Sequence, residues 1–360
     1  MTESSLRADV GQLLVAGFDG PTLPASVADA LSGGRLGGVI LFARNLEDAE
    51  QTAALNEAVY AATSDQPLPF VSIDQEGGRV QRLKEPPFAR WPPMAAVGAR
   101  RDTDLTAKVG EAMGDELAAV GFNLDFAPIA DVFTNPANTV IGDRAFGTDV
   151  DTVARHAGAY MAGLTISGVV PCAKHFPGHG DTALDSHFDL PVVEHGLERL
   201  QEVEIEPFRR LIAADVPMIM TAHVLVPAVD AQWPATLSNP WITGVLRRQL
   251  KYGGVIVSDD MEMKAVADRW EIEEGVERGL MAGVDLFLVC HSEDRWTRAF
   301  EHLVALGTKS SAVREQIAMA AGRVGWLKDR WLRPWTRPSD ATAAVYDADR
   351  HALAASLLAS

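Results

Sequence analysis

The stretch VVPCAKHFPGHGDTALDSH, residues 169–187, indicates the fold because an apolar run leads directly into a polar loop. The loop, Lys174–His187, holds three of the chain's nine histidines, two aspartates and a lysine. Gly178 and Gly180 allow its backbone to fold tightly. A buried strand that ends in glycines and ionisable groups is how active-site loops are built on α/β scaffolds. The stretch therefore predicts an α/β fold with an active-site loop at the end of a strand.

Seven other β-rich apolar runs recur along the chain, separated by amphipathic or alanine-rich stretches that are long enough for helices. Glycine and proline mark the joins, for example at Gly121, Gly168 and Pro217. The eight predicted strands are 13–18, 38–42, 70–74, 123–128, 170–175, 218–223, 255–259 and 286–290. The predicted helices include 48–63, 104–120, 152–167, 197–214, 240–250, 263–282, 311–330 and 339–358.

This alternation favours a barrel. Continuous apolar strands separated by helices are typical of a parallel sheet that is covered on both faces, and eight such units fit a (β/α)8 TIM barrel. An open doubly wound sheet is the alternative, but no G-x-G-x-x-G motif follows the first strand. We expect residues 1–360 to form a single catalytic TIM-barrel domain, with C-terminal helices over about 311–358 packed on the barrel.

Composition limits the partners and the compartment. The net charge of −17 argues against binding to nucleic acid or to anionic membranes. No apolar run is long enough to cross a bilayer, and MTESSLRADVGQ does not resemble a secretory signal. Cys172 and Cys290 both end apolar runs, which favours buried thiols in a reducing compartment. We therefore expect a cytoplasmic protein that binds neither nucleic acid nor membranes. We also expect it to be a monomer.

Polar residues follow four of the predicted strands, at the end where barrel enzymes carry their active sites. Asp74 ends the third strand, Lys174 and His175 end the fifth, His223 ends the sixth, and Asp259 with Asp260 ends the seventh. A charged group is costly there unless it is paired or used in chemistry. Each residue alone could belong to a buried ion pair that closes the barrel, but their recurrence predicts an active site.

Three motifs resemble those of the family 3 glycoside hydrolases. They are KHFPGHGDT followed by DSH, DQEGGRVQRL over 74–83, and SDDM over 258–261. Within that family the chain resembles the single-domain bacterial β-N-acetylglucosaminidases (β-hexosaminidases) of peptidoglycan recycling. The resemblance implies a lone TIM barrel, a sugar or muropeptide substrate, and no metal or organic cofactor.

The resemblance also implies the catalytic residues. Asp259 matches the family's nucleophile, which attacks the anomeric carbon. Asp260 is the chemical alternative, although strand alternation allows only one of the two to face the barrel mouth. The acid/base of these relatives is a histidine that an aspartate orients, which here corresponds to His187 and Asp185. Imidazole suits the role because it titrates near neutral pH.

Further matches to the family predict the sugar contacts. Planar guanidinium groups suit sugar hydroxyls because they donate several hydrogen bonds in a fixed fork, although a salt bridge that holds a loop is the alternative for each arginine. His179 is interpreted as part of the loop structure, hydrogen-bonded to backbone. The predicted substrate-binding residues are Asp74, Arg82, Arg144, Lys174 and His175.

The combined prediction is a retaining exo-β-N-acetylglucosaminidase, and several alternatives stay open. Within the family, a phosphorolytic enzyme or a β-glucosidase is possible. A zinc-dependent hydrolase would use the histidines, although no H-E-x-x-H motif is present. Lys174 could instead form a Schiff base in an aldolase, or the barrel could bind sugar without catalysis. The candidate zinc ligands are His175, His179, His187 and His223.

Overall fold

Eight parallel strands close into a barrel in the computed structural model, which describes residues 3–182 and 190–359. Each strand pairs with its neighbours in chain order, and the first strand pairs with the last. The predicted TIM barrel is confirmed. The strands are β1 Leu14–Ala16, β2 Gly38–Leu41, β3 Phe70–Ile73, β4 Leu124–Asp125, β5 Val170–Phe176, β6 Met218–Thr221, β7 Val255–Asp260 and β8 Leu286–Val289.

Several helices begin where a short polar side chain caps them. Asp149 accepts a hydrogen bond from the Thr152 backbone N–H at the start of one helix, and aspartate or serine caps six others in the same way. The helices are α1 Glu3–Gln12, α2 Ala25–Ser32, α3 Ala49–Ala62, α4 Met94–Gly98, α5 Thr103–Ala119, α6 Val150–Ile166, α7 Leu197–Glu202, α8 Glu206–Ala213, α9 Lys264–Ala267, α10 Ile272–Ala282, α11 Glu293–Lys309, α12 Ser311–Trp331, α13 Ala341–Val345 and α14 Ala348–Leu358.

Three predicted helices are wrong as continuous segments. The segment 197–214 divides into α7 and α8, because Pro207 lies in the first turn of α8 and cannot continue a preceding helix. The segment 263–282 divides at the extended residue Glu271, and 339–358 divides where Asp347 caps α14. Pro240–Gln249 is π-helical. Helices α1, α2, α4 and α11 lie outside the predicted segments.

The barrel interior is packed with apolar side chains, and helix α12 closes its N-terminal end. Val324 and Leu327 of α12 belong to the same buried cluster as the inward-facing strand residues. Helices α13 and α14 contact α3, α4 and α5 on the outside. Within the described ranges, no helix is both long and apolar enough to span a membrane. The strand residues of the interior cluster include Val15, Ile40, Phe70, Leu124, Val170, Cys172, Met218, Met220, Val255, Val257, Leu286 and Leu288.

A buried lysine, Lys328, lies at the end of the barrel that α12 closes. The Lys328 ammonium donates hydrogen bonds to Gln12 Oε1 and to the Gly37 carbonyl, each at 2.7 Å, and it lies 4.7 Å from the centre of the Phe70 ring. Burial lowers the pKa of Lys328 to about 7. Its charged form is therefore disfavoured in the folded protein relative to the unfolded chain.

Lys328→Met should flatten the dependence of stability on pH. Between pH 7 and 10 the unfolded chain holds the lysine proton more strongly than the folded protein, so raising the pH stabilises the wild type. As the pH rises, Lys328 should add up to about 1.4 kcal/mol per pH unit to the free energy of unfolding of the wild type. Urea denaturation between pH 7.5 and 9.5 measures it, and equal slopes for wild type and variant would contradict the prediction.

Candidate active site

A polar cavity of about 280 Å³ lies at the carboxyl ends of the strands. Lys174 and Asp259 each lie two positions beyond an apolar interior residue of their strand, Cys172 and Val257 respectively. Because residues two apart face the same side, the apolar interior continues into a charged layer at the barrel mouth. The cavity brings together all six described residues of the predicted site, namely Asp74, Arg82, Arg144, Lys174, His175 and Asp259.

A buried carboxylate joins the cations of this layer. Glu76 accepts two hydrogen bonds from Arg144, from Nε at 2.7 Å and from Nη2 at 2.8 Å, and lies 2.6 Å from Lys174 Nζ. Lys174 Nζ also donates to Asp74 Oδ1 at 2.7 Å. Asp74 Oδ2 in turn lies 3.6 Å from Arg82 Nη2. Carboxylates and cations therefore alternate from Arg144 to Arg82 along the cavity wall.

This alternation keeps Glu76 and Lys174 ionised. Burial raises the pKa of Glu76, but the charges of Arg144 and Lys174 outweigh it and hold that pKa well below its usual range. Burial lowers the pKa of Lys174, and the charges of Asp74 and Glu76 more than reverse this. Lys174 is thus a fixed cation rather than the neutral amine that a Schiff-base mechanism requires, which argues against the aldolase alternative.

Asp131 fixes His175. The Asp131 carboxylate lies 2.7 Å from His175 Nδ1 and accepts the backbone N–H of His179 at 2.7 Å. Burial raises the pKa of Asp131, but the charge and hydrogen bond of His175 outweigh it and lower that pKa. The peptide bond between Lys174 and His175 is cis, and both side chains line the cavity.

The two adjacent aspartates of β7 differ in their surroundings. Asp259 lines the cavity, and its Oδ1 accepts the backbone N–H of Asp260 at 2.8 Å. The Asp260 carboxylate instead accepts the backbone N–H groups of Glu262 and Cys290 and lies 3.4 Å from His291 Nε2. Asp260 thereby holds the turn after β7. Because the Asp260 carboxylate is engaged in these backbone hydrogen bonds, Asp259 is favoured as the reactive carboxylate.

The charge on Asp259 is also favoured. Burial raises its pKa, but the charges of His175 and His223 outweigh the desolvation, so the pKa of Asp259 is lowered from its ordinary value. An adjoining cavity of about 140 Å³ shares Asp74, Arg82 and Asp259 with the main one. Asp259 therefore borders both spaces as an ionised carboxylate, which is the state that a nucleophile needs.

Two other predicted candidate ligands, His179 and His223, contact threonine side chains. His179 Nδ1 lies 2.7 Å from Thr182 Oγ1, and burial lowers the pKa of His179 to about 4. His223 lies 2.9 Å from Thr236 Oγ1 and 3.0 Å from the Asp260 carbonyl. Across 3–182 and 190–359, no three His, Cys, Asp or Glu side chains are grouped as metal ligands.

Both predicted arginines line the cavity. Arg144 is held by Glu76 and by the Val140 carbonyl. It therefore forms a salt bridge and also lines the cavity. Arg82 lies over the Phe42 ring at 5.7 Å. The predicted acid/base pair, Asp185 and His187, lies outside the described residues.

Sequence reasoning missed two residues that hold the site. Glu76 lies two positions after Asp74 in the polar run that follows β3, so strand alternation could have placed it beside that residue. Asp131 lies beyond the short strand β4, whose carboxyl end was not among those predicted to contribute a polar residue to the site. Each is buried, and each pairs with a cation or imidazole that the motifs had identified.

Comparison with known proteins identifies the family. Residues 5–326 match the glycosyl hydrolase family 3 N-terminal domain. The chain belongs to this family. A β-hexosaminidase of Thiobacillus denitrificans is 42% identical over 267 residues, which cover 72% of this chain and 73% of the relative. The protein is therefore a glycoside hydrolase of the hexosaminidase type, as the motifs had indicated.

Solved structures agree with the fold and the family. A family 3 β-N-acetylglucosaminidase from Paenibacillus sp. str. FPU-7 has a TM-score of 0.91 and 38% identity, covering 98% of this chain and 68% of that one. NagZ from Neisseria gonorrhoeae, in complex with N-trifluoroacetyl-D-glucosamine, has a TM-score of 0.73 and 30% identity. That comparison covers 87% of this chain and 98% of NagZ.

Glu76→Gln should weaken both stability and substrate use. The substitution leaves Arg144 and Lys174 with a neutral partner, which should cost about 3–5 kcal/mol of stability. Because both cations line the cavity, kcat/KM should also fall, by about 10–100-fold at a temperature where the variant stays folded. Steady-state kinetics and thermal unfolding measure the two effects.

Asp285→Asn is the matched control. Asp285 is a fully buried carboxylate held between Arg247 and Arg323, and it precedes β8 at the opposite end of the barrel. Its loss should reduce stability comparably but leave kcat/KM of the folded enzyme within about twofold. Equal losses of kcat/KM in both folded variants would show that Glu76 acts only through general stability.

Proposed function

We propose that the protein is a retaining exo-β-N-acetylglucosaminidase that removes a non-reducing terminal GlcNAc from peptidoglycan fragments. The proposed substrate is GlcNAc-1,6-anhydro-N-acetylmuramic acid, with or without its stem peptide. The observation that carries the proposal is the position of Asp259 in a cavity walled by paired cations and carboxylates. The motif resemblance and the β-hexosaminidases and β-N-acetylglucosaminidases among the similar proteins support the sugar.

The polar wall suits a hydroxylated ligand. Asp74 presents acceptors to sugar hydroxyls, while Lys174, Arg82 and Arg144 present donors whose positions the alternating charges hold. Such groups bind without losing much side-chain freedom, because partners already order them. His175, fixed by Asp131 on Nδ1, is proposed to direct its other ring nitrogen to the sugar.

The proposed reaction is a double displacement. In the first step Asp259 attacks the anomeric carbon while His187 donates a proton to the departing glycosidic oxygen, so a covalent glycosyl-enzyme forms. In the second step neutral His187 takes a proton from water, which attacks the same carbon and releases Asp259. Asp185 is proposed to orient the imidazole and to stabilise its charged form. The overall result is retention of configuration.

The proposal extends to the compartment and assembly. Cys172 and Cys290 are both buried free thiols, which is consistent with a reducing cytoplasm. The net charge of −17 is unfavourable for nucleic acid and anionic membranes as partners. We propose a monomeric enzyme with a small-molecule substrate, which needs no metal or organic cofactor.

Product analysis tests the activity. The enzyme should hydrolyse p-nitrophenyl β-GlcNAc and the anhydro disaccharide to free GlcNAc, and should act far more slowly on p-nitrophenyl β-glucoside. Asp259→Asn should lose turnover by on the order of 1,000-fold or more while it still binds GlcNAc. GlcNAc-1-phosphate as the main product in phosphate buffer would instead establish phosphorolysis, and a preference for the glucoside would contradict the sugar assignment.

Leaving-group dependence tests the acid/base assignment. His187→Ala and Asp185→Ala should lower kcat/KM on the disaccharide by about 100-fold or more, because its leaving oxygen needs a proton. The loss on 2,4-dinitrophenyl β-GlcNAc should be small, since that leaving group departs unprotonated. His302→Ala, which removes a histidine paired with Glu277 on the barrel exterior, is the control. Equal losses on both substrates would rule out the acid role.

A further inference from the structure

A buried glutamine, Gln75, bonds the backbone that carries Arg82. Gln75 is 1% exposed, and its Oε1 accepts the backbone N–H groups of Arg82 at 2.8 Å and of Leu83 at 3.1 Å. Its Nε2 donates to the Leu83 carbonyl at 2.9 Å. We propose that Gln75 is a positioning residue, whose three hydrogen bonds hold the Arg82 guanidinium at the sugar site. The inference rests on the proposed contact of Arg82 with the sugar.

The side-chain contacts of Arg82 hold it less closely than those of Arg144 hold that residue. Arg82 Nη2 lies 3.6 Å from Asp74 Oδ2, and its Nε is buried with no hydrogen-bond partner within the described part of the chain. Its guanidinium carbon lies 5.7 Å from the centre of the Phe42 ring. Arg144, by contrast, donates two hydrogen bonds of 2.7 and 2.8 Å to Glu76. The placement of the Arg82 guanidinium therefore depends more strongly on where its backbone lies.

The position of Arg82 matters because this residue borders three spaces. It lines the main cavity, the adjoining cavity of about 140 Å³ that Asp259 also borders, and a further cavity of about 180 Å³ that is lined by Lys84 and Phe88 as well. A shift of the Arg82 backbone would change the walls of all three spaces together. Misplacing a group that positions the substrate by about 1 Å can cost on the order of 100-fold in rate.

Gln75 is itself held from two directions. Its backbone N–H donates to Asp125 Oδ1 of β4 at 2.9 Å, and its carbonyl accepts a hydrogen bond from the Tyr160 hydroxyl of α6 at 3.3 Å. A glutamine suits the role because its oxygen can accept two N–H groups while its nitrogen donates to a carbonyl. Gln75 does not line the main cavity, so its effect on the sugar must pass through Arg82.

The test compares Gln75→Met with a matched control, Asn123→Leu. Asn123 is a buried amide that precedes β4 at the N-terminal end of the barrel, and its three hydrogen bonds join it to Val71, Pro69 and Tyr60. Both substitutions should lower the unfolding temperature, because each leaves buried backbone groups unpaired. At a temperature where both variants stay folded, Gln75→Met should lower kcat/KM on p-nitrophenyl β-GlcNAc by about 10–100-fold and weaken inhibition by free GlcNAc by about tenfold. Asn123→Leu should change neither by more than about twofold.

Combination with Arg82→Ala separates the two proposals. If Gln75 acts through Arg82, adding Gln75→Met to Arg82→Ala should cost no further activity. Multiplicative losses, or a Gln75→Met variant that behaves like Asn123→Leu, would overturn the positioning role while leaving the sugar contact of Arg82 intact. An Arg82→Ala variant with unchanged kcat/KM and unchanged inhibition by GlcNAc would overturn that contact, and the positioning role with it. If Gln75→Met does not fold, Gln75→Asn replaces it, because an amide one methylene shorter is withdrawn from residues 82 and 83.

Discussion

The pairing of Glu76 with Arg144 and Lys174 is the interaction on which the barrel mouth depends. Two cations withdrawn from water need a carboxylate partner, and Glu76 contacts both while Asp74 completes the pairing of Lys174. Because every member has a partner, the layer can remain charged without water. A charged layer of this kind is ordered before the substrate arrives, which is the condition for rapid chemistry on a bound sugar.

The two ends of the barrel are closed by different kinds of side chain. At the N-terminal end, α12 packs apolar side chains against the interior and buries Lys328, which has no carboxylate partner among the residues that the structure describes. At the carboxyl end, the same strand alternation continues into charged residues that line a cavity. The proposed nucleophile, Asp259, therefore lies on a strand and is rigidly held. The proposed acid/base, His187, lies outside the described residues.

The sequence predicted most of the strands well because they are largely apolar runs. It placed Lys174 and Asp259 at the mouth because both end such runs. Asp259 could be preferred to Asp260 only through the family motif, and the structure adds the backbone hydrogen bonds that engage Asp260. Strand alternation could have placed Glu76 beside Asp74. The pairing of Glu76 with Lys174 and that of Asp131 with His175 could not be predicted, since these partners are distant in sequence and meet only when the barrel closes. The helix breaks depended on single residues, Pro207, Glu271 and Asp347, which apolar periodicity does not report.

The most direct measurement of the central claim is identification of the covalent intermediate. The wild-type enzyme, inactivated by a 2-fluoro glycoside carrying a good leaving group, would be digested and analysed by mass spectrometry. The account predicts one added glycosyl group, located on Asp259 in the peptide that contains SDDM. A glycosyl group on Asp260 or on any other residue would contradict it.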